Sequence, residues 1–422
     1  MKFIKNTGNF FKKETVLSIA VILAIISMFI VIPDGQYVSY IDFRTLGILF
    51  CLMTIVSAFR GVGLFDILAR TLLSKVHHMT SIILLLVMLC FFLSMVITND
   101  VALITFVPLT MIVMKHLPED IRYYWILKVV VMQTIAANLG SMLTPIGNPQ
   151  NLYLYGKAQM NIGDFIKLML PYTVISFVLL LLWIMFASAR KKISATKDMA
   201  FLYARKKDSV QKNTQRATEY MIVYFIFFVV SLLSVAHVIS FIIPLMLVLL
   251  YSLMRNRDVL KHVDYALLGT FVALFIFIGN LGRIPWFCAF LQKMITGHEA
   301  VTAVVASQVM SNVPAAVLLA GFTGQLKALI IGTNIGGLGT LIASMASLIS
   351  FKYIAKENSA IKGKYFIQSV LHQEVKIAVG KYQSDRLSLE IRRLWERLEH
   401  LETEDLYEVL ADCRALIQQV IE

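Results

Sequence analysis

The sequence predicts an all-α polytopic membrane protein made of two inverted repeats, each with a re-entrant hairpin and a broken transmembrane helix. Three observations predict it. The chain has 422 residues, 58% of them hydrophobic and 15% charged, with a mean hydropathy of +0.74. A soluble chain of that length could not bury so much apolar side chain. Many apolar runs approach the ~20 residues that cross a bilayer. Finally, polar breaks rich in Gly, Pro and Asn interrupt these runs at matching places in the two halves.

Composition also excludes several classes. Cys51, Cys90, Cys288 and Cys413 stand apart, without a CxxC pair or a Cys/His cluster, so neither a disulfide framework nor a metal site is expected. His77-His78 has no partner at metal spacing and reads as interfacial, as do His237 and Arg283. The net charge of +13 comes mainly from Lys and Arg in short loops and tails. The positive-inside rule explains that pattern, and nucleic-acid binding is not implied. No GxxxxGK[ST] segment is present to hold ATP, and no nucleophile–base or metal arrangement points to an enzyme. No cofactor is expected beyond a coupling H⁺ or Na⁺.

The elements follow in chain order. Lys2, Lys5, Lys12 and Lys13 place the N-terminus in the cytoplasm. Val16 to Ile32 goes out and, lacking an A-x-A-like site, reads as a retained span. Leu46 to Phe59 returns. Leu64 to Ser74 is weakly amphipathic and interfacial. Thr80 to Thr98 and Val101 to Met114 are apolar arms joined by Asn99-Asp100, with basic residues at both ends. A re-entrant hairpin or two crossings would give the same parity. Leu127 to Tyr155 goes out, broken by "TPIGNPQN", and Phe165 to Phe186 returns to a basic cytoplasmic loop. Tyr220 to Ala236 then goes out and inverts the second copy. Val238 to Leu253 comes in, Ala266 to Leu281 goes out, and Pro285 to Ile295 lies at the external surface. Val301 to Met310 and Pro314 to Phe322 are again short arms, joined by "SNVP". Ala328 to Ser350 returns.

The repeat is diverged but readable. Leu46-Gly47 matches Leu268-Gly269, and Phe65 then falls on Phe287. Thr98-Asn99 matches Ser311-Asn312. "NLGSMLTPIGN" from Asn138 matches "NIGGLGTLIAS" from Asn334, so that Gly140 pairs with Gly336 and Thr144 with Thr340. The organisation expected is an N-terminal repeat (residues 1–190), a basic cytoplasmic linker (191–217), an inverted C-terminal repeat (218–356) and a polar helical cytoplasmic tail (357–422).

Lipid does not tolerate the free N–H and C=O groups of a broken span, so such breaks line a cavity walled by protein or filled with water. Pro145 and Pro149 remove donors and stop the first broken helix. Gly147 permits a close approach, and Asn148 and Asn151 supply dipoles. Gly336, Gly337 and Gly339 open the second break without proline. The candidate substrate- and ion-binding residues are Thr98, Asn99, Asp100, Asn138, Gly140, Ser141, Thr144, Pro145, Gly147, Asn148, Pro149, Asn151, Ser311, Asn312, Pro314, Asn334, Gly336, Gly337, Thr340 and Ser344. A transient Na⁺ is expected at Asn99, Asp100 and Asn312. The plainer accounts are that Asp100 caps the following helix, that the asparagines are turn residues, and that the prolines mark a kink. An acidic residue within a long apolar stretch, however, marks function by default.

"SMVITNDVALITFVPLT", "TPIGNPQN", "SNVPAA" and "GTNIGGLGTLI" resemble the ion-transporter superfamily, from about Leu46 to Phe351. It includes arsenite permeases, NhaD-type antiporters, citrate-type permeases and divalent-anion symporters. The Thr98-Asn99-Asp100 turn looks most like the arsenite-permease and NhaD-type branch. The symporters of dicarboxylates carry Ser-Asn-Thr turns whose Ser and Asn ligate sodium and substrate. Here Asp100 and Val313 stand where that pattern has its final Thr.

The resemblance implies a secondary active transporter in the plasma membrane, both termini cytoplasmic. It would move an anion (a carboxylate, oxyanion or arsenite-like oxyacid) coupled to a proton or sodium gradient. The alternatives are a Na⁺/H⁺ antiporter using Asp100 and, further off, an ion channel. The expected partners are the small substrate and the lipid bilayer, with a homodimer left open. After Phe351 the superfamily's closing span is missing. Leu387, Ile391, Leu394, Leu398 and Leu401, then Leu406, Leu410, Cys413, Ile417 and Val420, instead predict two amphipathic cytoplasmic helices of regulatory, oligomeric or no particular role.

Overall fold

Two helices that align between the halves begin at an aspartate that replaces a missing first-turn bond. Asp42 accepts the Thr45 N–H at 2.9 Å, and Asp264 accepts the Leu267 N–H at 2.9 Å. These caps open α3 (Phe43–Gly61) and α12 (Tyr265–Leu281), the two helices that the Leu-Gly match aligned. The computed structural model describes residues 14–76, 78–115, 119–190 and 214–357, which form one compact unit. The expected tail helices and most of the basic linker lie outside the described residues.

The remaining helices, in order, are α1 (Thr15–Ile30), α2 (Tyr37–Tyr40), α4 (Leu64–Leu73), α5 (Met79–Ile97), α6 (Asn99–Met114), α7 (Glu119–Ser141), α8 (Pro149–Ala158), α9 (Ile162–Arg190), α10 (Thr214–Val235) and α11 (Ile242–Arg255). After α12 come α13 (Pro285–Ile295), α14 (Glu299–Met310), α15 (Asn312–Leu319), α16 (Leu326–Gly336) and α17 (Met345–Glu357). Among the described residues, α3, α5, residues 162–187 of α9 and residues 217–235 of α10 are long and apolar enough to cross a membrane. The pair α12 and α13 is bent by 105° at its break, which turns α13 across the end of the span.

Several boundaries differ from the expected ones. α6 begins at Asn99 rather than Val101, because Thr98 alone carries the turn. α15 begins at Asn312, ahead of Pro314, for the same reason at Ser311. A proline in the first turn costs no helical bond, so Pro314 is accommodated. α11 begins at Ile242 rather than Val238, because His237 sits at φ +61° and the chain turns before the helix can form.

Apolar side chains on α1, α9, α10 and α11 face outward, among them Ile22, Ile175, Phe225, Ile226, Met246 and Leu250. These are the surfaces that lipid would cover. The buried core instead runs through α3, α5 to α8, α12 and α15 to α17, with α14 contributing only Ala303 and Ser307. There the hairpin arms α5 and α6 pack on α7, and the arms α14 and α15 pack on α16. The second arm of each broken helix crosses to the other half: α8 packs on α15 and α16, and α17 packs on α6 and α7. The outer pairs cross as well, with α1 on α12 and α10 on α3.

Candidate functional site

Each hairpin tip turns on one residue in a backbone conformation that side chains rarely adopt. Thr98 lies at φ 74°, ψ 151° and Ser311 at φ 76°, ψ 154°. Non-glycine residues held there cost about 1–3 kcal/mol and persist only when their surroundings fix them. The fixing bond is the same in both halves. The Asn99 N–H donates to the Gly147 carbonyl at 3.0 Å, and the Asn312 N–H donates to the Ala343 carbonyl at 2.9 Å. Each tip is thus pinned to the unwound segment of its own broken helix. A second pin repeats too: the Thr144 hydroxyl donates to the Met95 carbonyl, and the Thr340 hydroxyl to the Gln308 carbonyl.

Glycine lets these parts approach. A Cβ on Gly140 would lie 1.9 Å from the Phe91 carbonyl oxygen, and one on Gly336 would lie 2.7 Å from the Ser307 Cβ. Both glycines sit against the first arm of their hairpin. Gly147 packs on the Ser141 carbonyl, and Gly337 on the Asn312 amide. Pro149 occupies the first turn of α8, behind the cap in which Asn148 accepts the Asn151 N–H at 2.9 Å. Pro145 is buried in the first break.

The two breaks meet in one hydrogen-bonded network of buried carboxamides and hydroxyls. Asn138 donates to the Thr134 carbonyl one turn back, at 3.1 Å, and Asn334 to the Ile330 carbonyl, at 2.7 Å. Asn148 donates across the halves to Asn334 Oδ1 at 3.0 Å, and Ser344 donates across to Asn138 Oδ1 at 2.9 Å. Asn148 and Ser344 each follow the carbonyl that pins a tip, so these two crossings are counterparts. Asn334 also donates to Asn151 Oδ1 at 2.6 Å, and Asn99 to Asn138 Oδ1 at 3.0 Å. Ser141 joins through Asn148 Nδ2 at 3.3 Å. Asn312 stays within its own tip, bonded to Ser311 and Ala343. None of Asn99, Asn138, Asn148, Asn151, Asn334 and Ser344 is more than 5% exposed.

Asp100 follows Asn99 in the first turn of α6, and its N–H is capped by Asn99 Oδ1 at 2.9 Å. Among the described residues its Oδ1 is buried with no hydrogen-bond partner. A buried carboxylate oxygen left that way is costly unless a proton or cation accompanies it. Among the described residues no group of three or more His, Cys, Asp or Glu side chains comes together as a metal site.

Three further residues take part in the packing around the two breaks. Gln133, fully buried on α7, donates to the Leu86 and Phe106 carbonyls at 3.2 and 3.5 Å and accepts from Thr110, tying both arms of the first hairpin. Gln308 plays on the second break. Arg44 donates to the Ser234 and Val235 carbonyls at the end of α10, at 3.1 and 3.3 Å, and lies against Gly156 of α8. The two glutamines could have been singled out as lone amides inside apolar runs. Arg44 gave no such signal, because its partners lie about 190 positions away.

Several long apolar helices and one bent helix pair make this an all-α polytopic membrane protein. The chain belongs to the citrate transporter (CitMHS) family, whose model matches residues 11–328. An uncharacterized transporter of Methanocaldococcus jannaschii is 33% identical over 336 residues, 80% of this chain and 87% of that one. Inner membrane protein YbiR of Escherichia coli is 29% identical over 332 residues, 78% of this chain and 84% of that one. A 46 kDa membrane protein of Mycobacterium leprae is 22% identical over 346 residues, 75% of this chain and 79% of that one.

Proposed function

We propose that the protein is a secondary active transporter of the plasma membrane, built from two inverted repeats, that moves a small anion or oxyacid coupled to a proton or sodium gradient. The observation that carries this reading is the paired set of bonds at the breaks: tip to unwound segment within each half, and Asn148 to Asn334 with Ser344 to Asn138 between halves. Inverted repeats with discontinuous helices place substrate and coupling-ion sites where the repeats meet, near the midplane. α6 and α15 start at the tips and α8 at the first break, and the positive ends of their helix dipoles favour an anion there. Similarity to an inner membrane protein supports the plasma membrane. The family description makes citrate the first substrate to try, ahead of dicarboxylates and arsenite. The test is uptake into proteoliposomes holding the purified chain, with labelled citrate, succinate and arsenite, under imposed Na⁺ or pH gradients. Saturable uptake that follows one gradient supports the reading. A non-saturating conductance indifferent to both gradients would replace it with a channel.

The unpartnered Asp100 Oδ1 favours a second reading, cation/proton exchange at this carboxylate. Substrate-independent Na⁺-driven proton efflux from the same liposomes would support exchange over symport.

A further inference from the structure

We infer that Gln308 is a positioning residue of the second break, where its carboxamide stands in for the helical hydrogen bond that the break removes. The inference rests on the transport reading above, and names the side chain that fixes the shape of that site's second half. An unbroken helix would join the Gly336 carbonyl to the Thr340 N–H, four residues on. Gln308 instead enters between them. Its Nε2 donates to the Gly336 carbonyl at 2.6 Å, and its Oε1 accepts the Thr340 N–H at 2.7 Å.

The fit is built from both sides. A Cβ on Gly339 would sit 1.6 Å from Gln308 Oε1, so only glycine leaves room for the amide. The Thr340 hydroxyl donates to the Gln308 main-chain carbonyl at 3.0 Å, holding the segment against α14. Gln308 also lies three residues before Ser311, so the same residue sets the approach of the tip. Only a carboxamide, or a protonated carboxyl, offers a donor and an acceptor at this spacing. The first half has Met95 at the matching position, whose thioether makes neither bond, and there Pro145 stops the helix instead. The two breaks are therefore held open by different means: a ring in the first, an inserted amide in the second.

The consequence is local and specific. Asn334 lies two residues before Gly336, and Gly337, inside the bridged segment, packs on the Asn312 side chain. Losing the amide leaves the Gly336 carbonyl and the Thr340 N–H unpaired and lets Gly336–Thr340 drift, moving Asn334 and Asn312 relative to the first half. Misplacement by about 1 Å at a site can cost roughly a hundredfold in turnover.

The experiment compares wild type, Gln308→Met and Gln308→Glu in proteoliposomes, with labelled citrate, succinate and arsenite as the probes, across external pH. Each variant is normalised to wild type at the same pH. Amide exchange of the segment 336–341 is followed in detergent by mass spectrometry. Gln308→Met preserves size, so the chain should still fold and insert, with a melting temperature only a few degrees below wild type, at about 2–4 °C per kcal/mol lost. It should nevertheless lower Vmax/KM by roughly tenfold or more and speed exchange in the segment. Gln308→Glu should be impaired when ionised, since it cannot donate to the Gly336 carbonyl, and should recover relative to wild type as acid protonates it. A role in packing alone predicts normal uptake for Gln308→Met and no acid recovery for Gln308→Glu; either result overturns the inference. If wild type moves none of the probes, the transport reading fails and the positioning role with it. The exchange rates then still decide whether Gln308 closes the break, and unchanged exchange in Gln308→Met would refute that as well.

Discussion

Asn334→Ala tests whether the two halves are joined where the geometry joins them. Asn334 is 4% exposed and makes three side-chain bonds: to Asn151 Oδ1 at 2.6 Å, to the Ile330 carbonyl at 2.7 Å, and from Asn148 Nδ2 at 3.0 Å. Alanine strands Asn151 Oδ1 and leaves Asn148 Nδ2 with only its 3.3 Å bond to Ser141. A buried polar group stripped of its partner costs about 1–3 kcal/mol. Cross-helix bonds in membrane proteins couple more weakly, averaging about 0.6 and reaching about 1.7 kcal/mol, because the unfolded chain in the membrane also finds partners. The expected loss is therefore about 1–3 kcal/mol for Asn334→Ala, with a coupling of about 0.6–1.7 kcal/mol to Asn148→Ala. The assay is a double-mutant cycle on reversible unfolding in mixed micelles, run beside a cycle of Asn334→Ala with Thr71→Ala. Thr71 is exposed and bonds only one turn back, to the Ile67 carbonyl. Additivity of Asn334 with Asn148 to within about 0.3–0.5 kcal/mol, the level expected of distant sites, would refute the junction.

The other predictions concern the tips and the approach surfaces. Thr98→Gly should relieve a strain of about 1–3 kcal/mol at φ 74°, less the ~0.5–1 kcal/mol of extra freedom that glycine gives the unfolded chain. A raised unfolding midpoint is the expected result, and a lowered one would mean that the Thr98 side chain holds the tip. Gly140→Ala should cost more than about 3 kcal/mol or block insertion, since the new Cβ meets main chain, whereas Gly163→Ala meets open space and should be neutral. Asp100→Asn should keep the fold, because Asn matches Asp in size and Asp100 Oδ1 has no hydrogen bond to lose among the described residues, yet abolish the dependence of flux on the pH gradient; an unaltered pH profile at normal flux would make Asp100 structural. Single cysteines at Lys115 and Gly297, in a Cys-free background, should label from opposite sides of the membrane, and same-side labelling would sink the inverted-repeat proposal.

Much of the site was legible because it is made of breaks. A proline, a glycine or an asparagine inside an apolar run contradicts its surroundings, and the contradiction can be read without knowing any partner. Read that way, Thr98 and Ser311, Asn138 and Asn334, and Gly140 and Gly336 fall in register in the sequence alone. The register itself shifts between tip and break because α6 and α7 have 16 and 23 residues where α15 and α16 have 8 and 11. What stayed hidden is pairing over distance. Asn148 and Ser344 differ in residue type, and their equivalence appears only when each is found donating to an asparagine of the other half. Gln133, Gln308 and Arg44 look like incidental polar residues until the carbonyls they satisfy are brought to them. Ends of elements were misjudged where one strained residue did the work of two, as at Thr98 and Ser311.

The crossing of the broken helices explains why so many amides are buried in a chain this apolar. α8 leaves its own half to pack on α15 and α16, and α17 leaves its half to pack on α6 and α7. Each therefore carries its cap residue, Asn148 or Ser344, to an asparagine that its own half cannot supply. A half on its own would hold an unwound segment with its donors and acceptors facing lipid, a state that the membrane does not tolerate. The buried amides and the Ser344 hydroxyl thus satisfy each other where the two interrupted helices meet. Because they close on each other across the halves, any motion that exposes the breaks must either separate Asn148 from Asn334 and Ser344 from Asn138 or carry both breaks together. The cycle on Asn334 measures how costly the first of those two routes would be.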